Sequence, residues 1–414
     1  MEERADAVIV GAGIVGIATA ALLAGQGLSV TVIDRKGICE ETSSGNAAAL
    51  AFQEVLPLAH KGMWKKVPFW LTDPLGPLSI PPAYLPRLAP WLLRFLRAGS
   101  PARLSTAVAA QSSLMRLAES EWTGLADRAG IAAMIRHDGC LELYDSARSF
   151  EAARKGYALR QQHGFEVQFP GRDELEALQP GLSPHFAAAA FLPGWKTVDD
   201  PKLFGLAVWE HAASRGARFR RATVTGIGEA GGFPAVLLDD GAQLAAGHVV
   251  IAAGAWSHRL AAQAGDSIPL ETERGYNTTL PATAFPLKRQ VFFTDHGFVA
   301  TPLSTGLRIG GAVELGGLDR PPNHARSKAM LKKASRFLPG LDTAGGREWM
   351  GYRPSTPDSL PVIGRSRNSH RIIHAFGHGH LGLTQAAATG RLVAGIVSDQ
   401  PPPIDVAPFS PQRF

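Results

Sequence analysis

Three glycines and a carboxylate carry the first chemistry visible in this chain of 414 residues. The stretch VIVGAGIVG, residues 8–16, spaces Gly11, Gly13 and Gly16 as G-x-G-x-x-G, and Asp34 stands eighteen residues after the last of them. In a turn leading from a strand into a helix, each glycine has its own task. Gly11 makes the tight turn, Gly13 lets a pyrophosphate approach the backbone, and Gly16 lets helix and strand pack closely. The intervening Ala12, Ile14 and Val15 present backbone N–H groups at the helix start, where a phosphate binds. An acid at the end of the next strand takes a ribose hydroxyl. Asp34 has that place, which indicates a dinucleotide with a free 2′-hydroxyl. A second constellation, His378 and His380 in GHGHLGLT with His370 and His374 nearby, raises metal binding. A zinc site needs three or four ligands with outer partners, and no cysteine or paired carboxylate lies close in sequence, so no metal is expected.

The glycines work only if strand, helix and strand flank them in order. Ala7 to Val10 is a continuous apolar run, as in a parallel strand buried on both faces. Ile14, Ile17, Ala18, Ala21, Leu22 and Ala24 then recur at helical spacing, GQG closes the helix, and LSVTVID makes a second strand. On hydropathy alone, Ala7 to Ala24 also reads as a signal peptide or short membrane span. Against that, MEERAD carries three acids and one arginine, no small-residue cleavage site follows, and Gly11, Gly13 and Gly16 interrupt the segment before Gly25 ends it.

With 45% hydrophobic and 19% charged residues the chain can bury at least two domain-sized cores. The net charge of +6 is scattered rather than clustered, so nucleic acid is not an expected partner. Two cysteines, Cys39 and Cys140, have neither metal-ligand spacing nor a disulfide framework, which points to a reducing, cytoplasmic setting.

After Asp34 the sequence RKGICEETSSGNAAAL replaces the further short units of a nicotinamide enzyme with a polar, small-residue loop. Arg35 and Lys36 open it. Ser43, Ser44, Gly45 and Asn46 offer hydroxyl, amide and backbone donors, and Ala47, Ala48 and Ala49 permit close approach of something flat; the same residues read equally as a helix N-cap. GHVVIAAGAWSHRL brings another buried strand, Val249 to Ala252, ending in a turn at Ala253 and Gly254. Near the C-terminus a strand around Ile372 to Ala375 leads through Gly377, Gly379 and Gly382 into a helix expected from about Thr384. A second helix N-terminus there would stabilise negative charge on a reduced flavin.

Together with ETSSGNAAAL, VDDPKLFGLAVWEHAASRGARF, VVIAAGAWS, ERGYN and GYRPSTPDSLPVIG...GHGHLGLT, these segments resemble the FAD-dependent D-amino acid oxidase superfamily, in its bacterial D-amino acid dehydrogenase branch. The likeness spans nearly the whole chain. It implies FAD bound by residues 11–16, 34–36 and 43–48, by Val224, Ala253 and Gly254, and by His378, Gly379, His380, Leu381, Gly382, Leu383 and Thr384. It implies no covalent tether, since no cysteine follows Cys140 and no histidine lies in the loop before His60. Arg353, in the G-x-R-P position of GYRP, would grip the substrate carboxylate with its planar fork. Tyr276 in ERGYN would donate to the second carboxylate oxygen, with a plain core tyrosine as the alternative. His380 takes a substrate-facing position.

The implied reaction moves a hydride from the substrate Cα to flavin N5, and the imine is hydrolysed to a 2-oxo acid and ammonia. The cofactor carries the chemistry, so no side chain is named as an obligatory base. Electrons would pass to a quinone or another acceptor. D-Proline or 4-hydroxy-D-proline suits a pocket whose candidates include no acid for a basic side chain. An oxygen-using oxidase of glycine, sarcosine or another secondary amine is the alternative, and a non-catalytic flavoprotein a third.

The fold class expected is α/β: a Rossmann-type FAD domain assembled from residues 1–80, 190–265 and 346–414. An α+β substrate domain from 81–189 and 266–345 would contain an antiparallel sheet. The helical stretch from 85 puts Leu88, Trp91, Leu92 and Phe95 on one face, for a core or lid, with peripheral contact to the inner face of the cell membrane as the alternative. The oligomeric state is left open.

Overall fold

The computed structural model describes residues 4–58, 76 and 78–414. His60, and part of the first cofactor segment expected over 1–80, lie outside the described residues. The apolar run after MEERAD becomes the strand Ala5–Val10, parallel to Val30–Asp34 on one side and to Gln243–Ile251 on the other. Arg218–Arg221 extends the sheet beyond Val30–Asp34. On the far side Ile372–Phe376 lies parallel to the second half of Gln243–Ile251, and the hairpin of Val224–Ala230 with Phe233–Leu238 pairs with its first half.

Helix Ile14–Gly25 packs on this sheet and against Pro201–Ser214 and Gly382–Val397. Their alanines and glycines permit the close approach. A Cβ on Gly390 would stand 3.1 Å from the Ala18 carbonyl oxygen. The buried core between them includes Ile9, Ile17, Val250, Phe204 and Leu392.

The second sheet runs in the order Arg347–Ser355, Glu271–Leu280, Gly306–Leu315, Phe298–Leu303, Gln290–Phe293, Cys140–Tyr144, Ala188–Leu192. It is antiparallel except where Gln290–Phe293 runs parallel to Cys140–Tyr144 and the short strand Leu78–Ser79 parallel to Val313–Glu314. Helix Ala325–Phe337 contributes Met330, Ala334 and Phe337 to the core on one face. Helix Leu85–Ala98 covers the other with Leu88, Trp91 and Phe95 packed near Val313 and Leu315. Leu92 is only half-buried, and Leu85, Leu93 and Leu96 are exposed. Among the described residues no helix is long and apolar enough to cross a membrane.

The sheets cut across the expected segment boundaries. Arg347–Ser355, placed with the cofactor domain at 346–414, is an edge strand of the second sheet, hydrogen-bonded along its length to Glu271–Leu280. Leu78–Ser79 also joins that sheet, and helix Pro101–Ala129, expected in the substrate domain, packs against Gly382–Val397. Apolar alternation reports that a segment is a strand. It carries no record of which distant edge completes the strand's hydrogen bonds.

Candidate active site

The three glycines open a cavity of about 1880 Å³ that runs from the first sheet to the second. Gly11 has φ +111, and a Cβ there would stand 2.4 Å from the Ala252 carbonyl oxygen. One on Gly16 would stand 2.0 Å from the Gly11 carbonyl oxygen, so helix and strand touch through a missing side chain. Gly11, Gly13, Ile14 and Val15 line the cavity, whereas Ala12 and Gly16 shape the turn behind it. Helix Ile14–Gly25 has no N-cap side-chain bond of its own. Ser43 supplies a substitute, its hydroxyl accepting from the Ile14 N–H at 2.9 Å.

Asp34 also lines the cavity, at the end of its strand. Its carboxylate accepts from the N–H groups of Ala12 at 3.0 Å and Lys36 at 2.8 Å, so it braces the glycine turn while lining the cavity. Asp34→Ala is therefore expected to weaken FAD binding tenfold or more and to lower the melting temperature of the flavin-free protein; loss of the bonds to the turn costs about 1–3 kcal/mol. Fluorescence titration and thermal unfolding check both, and an unchanged FAD affinity would remove Asp34 from the site.

The loop after Asp34 is held from the second sheet. Asn277 donates to the Gly45 carbonyl at 2.7 Å, Arg308 to that of Asn46 at 2.6 Å, and Gln290 and Thr301 to that of Ala47 at 2.8 and 3.2 Å. Burial lowers the Arg308 pKa to about 10, still charged at neutral pH. Gly45 admits the Trp349 ring, which would lie 2.2 Å from a Cβ. Asn46 bonds the Ser43 carbonyl and the Ala48 N–H, stabilising Ala48 at φ +59. Ser43, Gly45, Asn46 and Ala47 reach the cavity, while the Ser44 hydroxyl turns back to the Glu41 carbonyl. Arg35 stacks over Trp256 at 4.1 Å and faces the cavity. Lys36 instead points outward, paired with Glu41 at 2.7 Å. Val224, Ala253 and Gly254 are in the lining. Asn277, Gln290, Thr301 and Arg308 were not visible as site residues, because each acts by a bond to a loop more than 200 residues away.

The C-terminal helix begins at Gly382, two residues before the expected start, without a side-chain cap bond. Residues His378 to Thr384 all line the cavity. Thr384 does not cap its helix: its hydroxyl accepts from the Ala51 N–H at 3.0 Å and joins the helix to the segment after the alanine loop. Gly379 donates its N–H to the Pro354 carbonyl at 2.7 Å, which ties the histidine loop to the residue after Arg353.

The histidines are held apart from one another. His374 bonds Asp266 at 2.9 Å, and His378 bonds the Thr389 hydroxyl at 2.8 Å. Burial pushes the His378 pKa down to about 3. The unfolded chain, with a histidine near 6.5, therefore binds more protons than the native state between those values. This contribution to stability is complete above pH 6.5 and is lost as the pH falls towards 3, at up to about 1.4 kcal/mol per unit. Urea unfolding at pH 7, 6 and 5 should show a shallower acid loss in His378→Asn than in wild type; parallel curves would contradict it.

Arg353 projects into the cavity from its edge strand, its guanidinium lying over Gly275, where a Cβ would be 2.4 Å from Nη2. Nη1 is 3.4 Å from the Ala312 carbonyl. Burial lowers its pKa, which Glu273 opposes. The His380 ring is open to the cavity yet deep in the molecule, and burial keeps its pKa below the usual value. Tyr276 contributes to the cavity wall, but its hydroxyl takes the alternative, structural role. Strand alternation turns it to the opposite face, where its hydroxyl donates to Glu314 and accepts from the Asn323 N–H at 3.2 Å. The candidates read from the sequence include no acid, yet Glu273, directly across from Arg353 in the sheet, lines the cavity.

A dinucleotide fold with two helix N-termini and an acid at the end of the second strand, open to a sheet that bears an arginine, is the scaffold of a flavin-dependent oxidoreductase. The chain belongs to the family described as FAD dependent oxidoreductase (DAO), whose model matches residues 6–396. It is an FAD-dependent enzyme, and the glycine cradle, Asp34 and the start of helix Gly382–Val397, which has no side-chain cap bond, fit that cofactor. It is 37% identical, over the full length of both chains, to a D-amino-acid oxidase of Bradyrhizobium diazoefficiens, and 31% identical over 98% of each to a D-amino acid dehydrogenase of the same organism. Among solved structures it resembles glycine oxidase from Geobacillus kaustophilus, with TM-score 0.76 and 25% identity over 99% of each chain. L-proline dehydrogenase from P. horikoshii, at TM-score 0.74 and 22% identity over 100% of this chain and 98% of that one, shares the fold.

Proposed function

We propose that this enzyme oxidises the amine of a D-amino acid, and that Arg353 holds the substrate carboxylate. The observation that carries the reading is a guanidinium in the cavity, on a strand tied by the Gly379 bond to the loop that leads into the C-terminal helix. The D-amino acid names of relatives at 37% and 31% identity support the configuration.

FAD when bound supplies the hydride acceptor. The protein's task is orientation. Arg353 fixes the carboxylate and with it the direction of the Cα–H bond. The free N–H groups at the start of Gly382–Val397 stabilise negative charge beside them. Helix Leu85–Ala98 shields the cavity from water with Trp91 and Phe95. The imine product meets water and yields a 2-oxo acid and ammonia.

The test is anaerobic bleaching of the holoenzyme by D-alanine, D-proline, 4-hydroxy-D-proline, D-lysine, their L-forms, glycine and sarcosine. Bleaching by D-forms over L-forms is expected; bleaching by none of them, or only by L-forms, overturns the reading. A quinone or another non-oxygen acceptor is the first reading, in keeping with the dehydrogenase name at 31% identity, and the oxidase name at 37% identity brings in oxygen as a second. Dye reduction faster than peroxide formation in air supports the first, and equal rates the second.

A further inference from the structure

We propose that Glu273 holds the substrate's ammonium group, so that the cavity recognises an amino acid at both of its charges. The inference rests on the reading that Arg353 takes the carboxylate. Glu273 stands directly opposite Arg353 on the neighbouring antiparallel strand, and opposed residues project from the same face of a sheet. Opposite charges in that position ordinarily close on each other. Here they do not form an ion pair, because the Arg353 guanidinium is drawn along the sheet to Gly275 and the Ala312 carbonyl.

The other face of the same strand shows the contrast. There Arg274 and Glu314 close at 3.1 Å, and Tyr276 adds a bond to the same carboxylate. Glu273 is 7% exposed and lines the cavity, and its carboxylate accepts no hydrogen bond from any described residue. Its carboxylate therefore opens on the cavity with no protein donor committed to it, free to accept from a cationic group that enters. Gly275 lies two residues from Glu273, so cation and anion are set about 7 Å apart along the strand, with the space between them open to the cavity. A zwitterion entering there meets Arg353 with its carboxylate and Glu273 with its ammonium. His380 is the third polar group at this place; burial lowers its pKa and the Glu273 charge opposes that shift. Without Glu273 the ammonium would face the field of Arg353 alone, which repels it.

Glu273→Gln keeps the shape and removes the charge. For the holoenzyme we compare D-alanine with propionate and D-proline with cyclopentanecarboxylate, pairs that differ in the amine. KM and the anaerobic dissociation constant for the amino acids are expected to rise tenfold or more, with inhibition by the plain carboxylates unchanged or tighter. Glu273→Asp, measured the same way, should fall between. An equal shift for both members of a pair would make Glu273 only a counter-charge to Arg353 and overturn the proposal, as would no shift in either. A loss confined to D-lysine would assign Glu273 to a cationic side chain and also overturn it. Wild-type holoenzyme that no amino acid reduces refutes the reading of the function itself, which is a different result from an active enzyme whose amine selectivity ignores Glu273.

Discussion

Arg353→Ala is expected to lower kcat/KM at least about tenfold, and up to several hundredfold, with FAD content near wild type. A charge-assisted hydrogen bond is worth about 1.5–3 kcal/mol, and the guanidinium can make two to one carboxylate. Part of the loss should appear in the anaerobic flavin reduction rate at saturating substrate, because the carboxylate also aims the Cα–H bond. Arg353→Lys keeps the charge and loses the fork, so it should fall between wild type and alanine. Gly275→Ala offers a copy of the defect made from the neighbouring strand: the added methyl would occupy the place of the guanidinium and push it aside. If Arg353→Ala reduces its flavin at the wild-type rate with unaltered substrate dependence, the carboxylate is held elsewhere.

Gly16→Ala should leave the protein without flavin. Its methyl would stand 2.0 Å from the Gly11 carbonyl oxygen and 3.1 Å from its carbon, both backbone atoms of the phosphate turn. Close-packed interiors absorb such a contact only by moving an element, here the first helix away from its strand, and the N–H groups aimed at the phosphates move with it. Gly25→Ala, at the other end of the same helix, meets nothing within 4 Å and serves as the control. It should be neutral or stabilising by up to about 1 kcal/mol. The flavin-to-protein ratio after purification and the melting temperature read both variants. A Gly16→Ala protein with full flavin content would show that the turn can widen without losing its ligand.

The first βαβ unit is readable along the chain because all its information is local. The apolar period changes from strand to helix and back within thirty residues, and glycine is demanded by backbone approaches between near neighbours. The C-terminal helix is readable for the same reason, its start misplaced by two residues because the glycines before it lack a side chain to signal the cap. Glu273 and Tyr276 were harder. Both stand in ERGYN, and only the pairing with Arg347–Ser355 and Gly306–Leu315 decides that the glutamate faces the cavity and the tyrosine Glu314.

By itself, then, the sequence determined the dinucleotide class of the cofactor and the α/β character of the cofactor-binding sheet, which rest on spacing within short segments, while its resemblance to a known family pointed to FAD and to the arginine worth testing. Tertiary structure decided which side chains share the cavity with Arg353, how the loop of Ser43 to Ala48 is held, and that the arginine strand closes the second sheet. Strand pairing joins residues about eighty positions apart, Glu273 with Arg353, and a one-residue shift of register would turn every side chain to the opposite face. That register is fixed by burial and hydrogen bonding across the whole sheet, so it exists only once the distant strands have met.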